Sequence, residues 1–302
     1  MNIFSFTAHF SSEEACREHF KAERDKVGVI CNRCSHTEHY WIKSRWSYEC
    51  KKCRSRTSLR SGTILQSSNL SFLTWYKAMF LISTTKKGFS AKEMQRHLGL
   101  KRYEPVWAMV HKLRRAMGNR DTRYTLEGMT EIDEGYFTIE SSEIEQSKGK
   151  RGRGASGKQN VAVMAESTPL ENPHTGEKSK HVRYFKAKVL ESHKSEEINQ
   201  TLEDFLAHKT IVFSDKSTSY VDIADYVEMH ITEKSSKEST KETLQWVHIF
   251  ISNAKRNLLG NYHKIKGKYL QLYLNEFVYK LNRRYFGEKL FDRVVIAGIT
   301  GL

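Results

Sequence analysis

Two cysteine doublets constrain this chain most, Cys31-Asn-Arg-Cys34 and Cys50-Lys-Lys-Cys53, with fifteen residues between them. Each C-x-x-C turn presents two thiolates from a tight loop, and the two together make the tetrahedral sulfur set that structural Zn²⁺ prefers. In a cytosolic chain such close pairs are metal ligands before they are disulfides. Four thiolates leave no open coordination position, so the zinc is expected to be structural, with His36 and His39 at the surface rather than ligating. The intervening run HYWIKSRWSYE is aromatic and alternating, as a β-hairpin requires. A helix over residues ~12–27 is expected ahead of it, opened by Ser11–Ser12 with Glu13 and Glu14 in the first turn. Cys16 falls in that amphipathic segment and reads as a small buried apolar residue.

Residues 70–117 turn helical. Phe72, Trp75, Tyr76, Met79, Phe80 and Ile82 recur at near-helical spacing. Ser90 is an N-cap and Gly99 a stop for a second, short helix, and a third, basic helix starts near Pro105. This order resembles a helix-turn-helix, whose final helix lies in a DNA groove; the alternative is a plain three-helix packing unit. Lys101, Arg102, Lys112, Arg114 and Arg115 favour the DNA reading. Charge points the same way. The 302 residues carry 50 Lys+Arg against 35 Asp+Glu, and residues 1–128 hold 24 and 11 of these, a net +13 against +2 for the remainder. A basic front half implies a polyanionic partner, nucleic acid first, or else a solvated basic surface. No run of ~18 apolar residues could span a membrane. The N-terminus lacks the basic-then-apolar form of a signal peptide, so a cytoplasmic, DNA-associated protein is expected.

From Met129 strands take over. MTEIDEGYFTIE, NVAVMAES and HVRYFKAKVL read as three strands, SEEINQTLEDFLAHK as an amphipathic helix, TIVFSD as a short buried strand, and the remainder as helices. Three strands, helix, strand, helices is the order of an RNase H-like α/β domain. The expected division is a helix and zinc ribbon over 1–69, a helix-turn-helix-like region over 70–128, and the α/β domain over 129–302. The polar stretch KGKRGRGASGKQ (148–159) is either a phosphate-touching loop or a solvated linker. Asp133 falls inside the first strand and Asp215 closes the fourth, which would put both on adjacent central strands facing one cleft. Such carboxylates bind Mg²⁺, and two metals ~3.5–4 Å apart can activate a nucleophile and stabilise a leaving phosphate oxygen. Asp at a strand end is otherwise a common turn former.

The chain resembles the zinc-ribbon-bearing DDE transposases of small bacterial insertion sequences, the ISXO-type group. The likeness runs through EEACREHF, both cysteine doublets, SLRSGTIL, FLTWYKAMFLI, FSAKEMQRHLGL, TEIDEGYF, KGKRGRGASGKQNVAV, VFSDKSTSY, NAKRNLLGNYH and YLNEFVYKLNRR, most of the chain. It implies an RNase H-like catalytic domain, strand cleavage at element ends dependent on Mg²⁺ or Mn²⁺, and strand transfer by the freed 3′-hydroxyl. It carries over Asp133 and Asp215 as the first two catalytic acids. The implied partner is double-stranded DNA, both transposon ends and target, engaged by a homodimer or larger assembly. The readings beside it are a DNA-binding regulator with an inactive RNase H-like domain, and a nuclease or resolvase that cuts without joining.

The third acid departs from the family pattern. Gln245 to Asn275 contains no Asp or Glu. The family pattern is Glu, six intervening residues, then Lys or Arg, followed by a GTYH-like segment. Anchoring on KRNLLGNYH makes Lys255 the basic residue and puts His248 where Glu is expected. Some branches of the group carry Asn, which makes Asn253 the competing candidate. On a helix, positions 248, 251, 252 and 255 share a face, whereas Asn253 is rotated about 140° from His248. His248 is therefore the expected third residue, as a ligand or a positioner of water, and its alternative is a helical histidine bonded to phosphate or a neighbour. Lys255 and Arg256 are expected on the DNA backbone near the scissile phosphate.

Overall fold

The computed structural model describes residues 1–140, 157–171, 176, 178–191, 195–215, 223–233, 243–262 and 265–301. Most of the basic stretch 148–159 lies outside them. The chain forms two compact units, residues 1–120 with 283–302, and residues 121–282.

In the first unit a short helix α1 (Ile3–His9) precedes α2 (Glu13–Val27). The Ser12 side chain accepts from Ala15 N and caps α2, with Glu13 and Glu14 in its first turn. Cys16 is fully buried. The hairpin between the cysteine doublets is β1 (His39–Ile42) paired antiparallel with β2 (Ser47–Cys50), and a strand not foreseen, β3 (Arg56–Ser58), adds to β2. Arg24, buried in α2, donates to the carbonyls of Ser58, Leu59 and Ser61 and ties that helix to the ribbon.

Three helices follow, α3 (Phe72–Thr84), α4 (Ala91–Leu98) and α5 (Glu104–Asp121). α4 carries both expected punctuation marks, with Ser90 Oγ accepting from Glu93 N and Gly99 in the left-handed region at φ 64°. The C-terminal helix Leu290–Thr300 also belongs to this unit, although contiguity suggested that everything after 129 would form one domain. The physical cause is an apolar face. Phe291 packs 5.7 Å from Phe6 and 5.8 Å from Tyr76, ring to ring, and a Cβ at Gly298 would stand 3.1 Å from Ile64 and 3.2 Å from Met79.

One expected DNA contact is corrected here. Arg114 is 1% exposed, and its Nη2 donates to Phe89 O at 3.0 Å, so it braces the turn before α4 instead of facing a groove. Arg114→Ala should lower stability by roughly 2–3 kcal/mol, because a charged hydrogen bond goes and a buried carbonyl loses its donor. Thermal melting checks this, with the exposed neighbour Arg115→Ala melting like wild type.

The second unit is built on a five-stranded sheet of order β6-β5-β4-β7-β8. Its strands are β4 (Met129–Thr138), β5 (Lys158–Glu171), β6 (Lys178–Val189), β7 (Ile211–Asp215) and β8 (Met229–Glu233). β4, β5 and β6 pair antiparallel, while β4, β7 and β8 run parallel. β8 corrects the expectation that only helices follow Asp215. It is a short, mostly exposed edge strand, and sequence reasoning missed its alternation of Met229 and Ile231 with His230 and Thr232. Helices cover both faces. α6 (Ser195–Phe205) buries Ile198 and Leu202 against Ile132, Ala162, Met164 and Val212. On the other face α7 (Gln245–Asn261) and α8 (Gly267–Asn282) bury Val247, Phe250, Leu270 and Leu274 against Phe137, Val161, Val163 and Phe185. β5 is apolar on both sides because both faces are covered. The fold is mixed α/β with the RNase H-like order, preceded by the ribbon and helices.

Candidate active site

β4 alternates between the two cores, and its odd-numbered residues face α7. Their contacts form a ladder along that helix. Glu131 Oε2 accepts from Trp246 N at 2.7 Å and Val247 N at 3.2 Å. Two residues on, Asp133 Oδ2 lies 3.7 Å from His248 Nδ1. A Cβ at Gly135 would stand 3.2 Å from two Ile251 side-chain carbons, so only glycine lets the helix come this close. Then Lys255 Nζ sits 5.6 Å from the Phe137 ring centroid.

β7 supplies the other acid. Its parallel register with β4 pairs Thr130 with Val212 and Glu131 with Phe213, and two residues further along the strands stand Asp133 and Asp215. Burial pushes the Asp133 carboxyl up to about 6; the Glu134 amide, bonded to its Oδ1 at 2.7 Å, and His248 act against that, while the Asp215 carboxylate adds to it. Glu131 is pushed to about 7, again by burial first, against the opposing pull of Lys180 and the two α7 amides.

The structure thus brings together Asp133, Asp215 and His248 and leaves Asn253 apart. Asn253 is exposed, and its Oδ1 accepts from Arg256 Nη2 at 2.9 Å. The three central side chains do not close into one sphere of ligand atoms; among the described residues only the cysteine quartet does, within 4.8 Å. Their chemistry still suits a divalent ion, since two neighbouring carboxylates with one imidazole within reach are short of positive charge. Two oxygens and one nitrogen fit Mg²⁺ or Mn²⁺, the nitrogen favouring Mn²⁺. Sequence reasoning missed Glu131. Its signals were a position two residues before Asp133 on one strand face, and a helix at Gln245 with no capping residue before it.

At the ribbon the two doublets repeat one geometry. Ser35 N bonds Cys31 O at 2.9 Å and Arg54 N bonds Cys50 O at 3.0 Å, with Ser35 and Arg54 at φ 57° and 60°. Cys31 Sγ lies 3.6 Å from Cys53 Sγ, and Cys34 Sγ 3.6 Å from Cys50 Sγ. The backbone N–H groups of Arg33 and Cys34 lower the Cys31 thiol to about 6, whereas Cys34, against the His36 N–H, is pushed up to about 12 by the Cys53 sulfur and by burial, the split of four sulfurs crowded round one point. The donor set fits structural zinc, and His36 and His39 stand outside it.

Of the remaining residues expected on DNA, Lys101, Arg102, Arg115, Lys255 and Arg256 are exposed. Lys112 is half-buried, its Nζ donating to Gln66 O at 2.5 Å. No described helix is long and apolar enough to cross a membrane.

Compared with known families, residues 125–282 match the ISXO2-like transposase domain, more than half of the chain. Residues 11–56 match a transposase zinc-ribbon domain. No individual curated protein matches.

Proposed function

The chain belongs to the ISXO2-like transposase family, and from that premise we propose that it binds the terminal repeats of an insertion sequence, cuts a DNA strand there and joins the freed 3′-hydroxyl to target DNA. The observation that carries this reading is the meeting of Asp133 and His248 at 3.7 Å, with Asp215 at the end of the neighbouring parallel strand. Asp133, Asp215 and His248 would hold Mg²⁺ or Mn²⁺, which when bound supplies charge neutralisation and Lewis acidity at the scissile phosphate. The residues of the chain do the rest. The two aspartates would supply the carboxylate oxygens to that ion. His248 Nδ1 faces Asp133 at 3.7 Å, which leaves Nε2 for water or phosphate. Lys255 and Arg256, exposed on the acid-free helix α7, contact the DNA backbone. The ribbon and the α3–α5 helices, with Lys101, Arg102 and Arg115, grip the element ends. Pairing two ends requires at least two copies in the active complex.

The test incubates pre-cut terminal-repeat DNA with a target plasmid and Mn²⁺. Joined product is expected from wild type and none from Asp133→Ala. Nicking without joining would instead mark a nuclease, and binding without either reaction a regulator. His248→Ala should lose about 10²-fold or more in cleavage, and Asn253→Ala less than about tenfold. The reverse order would place the third site residue at Asn253.

A further inference from the structure

α7 begins with a deficit. Its N-cap is Leu244, which offers no side-chain oxygen, and its first turn contains no acid. The leading N–H groups of a helix lack intrahelical partners and carry the positive end of the dipole, so a start buried at Val247 requires an acceptor from elsewhere. That acceptor is Glu131, 115 residues earlier in the chain, 1% exposed and bonded through Oε2 to Trp246 N and Val247 N. Its other oxygen faces Lys180 Nζ at 3.7 Å, and the same ammonium donates to Thr243 O at 3.3 Å, one residue before the cap. Carboxylate and ammonium therefore hold both sides of the turn that starts the helix.

A local cap would have been simpler. Ser or Asn at position 244 could satisfy the same amides without burying a carboxylate, which is costly to desolvate. What a local cap cannot do is bind the helix to the strand that carries Asp133. Val247 immediately precedes His248, and Glu131 and Asp133 are consecutive residues on one face of β4, so the two contacts are adjacent rungs of one ladder. A shift of the helix start would move His248 relative to Asp133 by the same amount.

We propose that Glu131 is a positioning residue of the active site, whose buried carboxylate sets the depth and rotation at which α7 delivers His248 to Asp133. This rests on the reading of Asp133 and His248 as site residues. Outer groups that orient ligands typically account for about 10–100-fold in metal affinity or activity.

The test compares Glu131→Ala and Glu131→Gln with wild type in the full chain. Three quantities are read: amide exchange across α7, Mn²⁺ affinity by loss of the free-ion EPR signal, and the Mn²⁺ dependence of cleavage. Glu131→Ala should speed exchange at Trp246 and Val247 about tenfold or more while Ala254 and Leu258 stay protected. It should also weaken Mn²⁺ about tenfold. Glu131→Gln, which keeps an oxygen for the amides, should recover most of both losses. If the alanine protein does not fold, Glu131→Asp, shorter by about one methylene, should move the same readouts in the same direction. Unchanged exchange overturns the cap. Faster exchange with unchanged Mn²⁺ affinity and cleavage reduces Glu131 to a fold-stabilising cap and overturns the positioning role. A His248→Ala protein that binds Mn²⁺ and cuts like wild type would sink the site reading itself, and this proposal with it, whatever the exchange data show.

Discussion

Asp133→Asn should abolish metal-dependent strand cleavage and, without added divalent metal, should raise the melting temperature at pH 7. The first effect follows from removing a charged oxygen at the cleft, a loss of about 10³-fold or more if Asp133 holds the catalytic ion. The second follows from burial. The Asp133 carboxyl titrates at about 6 in the folded protein, against roughly 3.9 in an unfolded chain. A folded pKa raised above the unfolded one means the native state holds the proton longer. Its contribution to stability is greatest below the unfolded value and falls as pH rises through 6. At pH 7 the wild type therefore carries a buried charge that asparagine removes, on the order of 2–3 kcal/mol. The gain should narrow as pH is lowered from 7 to 5.5 with the structural zinc still in place. Melting curves at the two pH values check it, and an asparagine variant less stable than wild type at pH 7 would mean the carboxylate is satisfied without metal.

Cys50→Ser should have the largest effect on folding. Cys50 is fully buried, and its backbone and sulfur both belong to the repeated turn geometry at the ribbon. The ribbon sheet has strands of four, four and three residues, too short to persist without a cross-link. Structural zinc contributes on the order of 10–16 kcal/mol in small peptides at neutral pH. Losing one thiolate should therefore take zinc from one ion per chain to nearly none, unfold the region around Trp41 and Trp46, and abolish binding to the terminal repeats. Elemental analysis, near-ultraviolet dichroism and a DNA mobility assay read the three. Wild-type protein, freshly purified and reduced, with no zinc would defeat the assignment.

The parts of this molecule legible in the sequence are those whose cause is local. Two C-x-x-C turns, Ser90 as a cap, Gly99 as a stop and the apolar run through Val161–Ala165 each announce their structure within a few residues. The adjacency of the strands carrying Asp133 and Asp215 also followed, because the RNase H-like element order puts the fourth strand beside the first. What stayed hidden depends on distant partners. Arg114 looks like any basic residue on a helix until Phe89 O is seen to accept its hydrogen bond. The role of Glu131 requires knowing that α7 lies along β4. β8 does alternate, Met229 and Ile231 against His230 and Thr232, but over only five mostly exposed residues at a sheet edge. Of the departure from a third acid, the His248 contact with Asp133 is geometry; its role in chemistry awaits the cleavage assay.

The grouping of residues 283–302 with the N-terminal unit bears on the order of events during synthesis. Everything the second unit needs has been made once Asn282 is in place, whereas the first unit still lacks a helix at that moment. Until Phe291 arrives, Phe6, Tyr76 and Phe80 lack one of their neighbouring rings. The α/β unit can therefore close first and the ribbon-bearing unit last, since units fold as their residues emerge. A ribosome that stops early would release a chain able to form the acidic cleft but unable to complete the unit that carries the zinc ribbon.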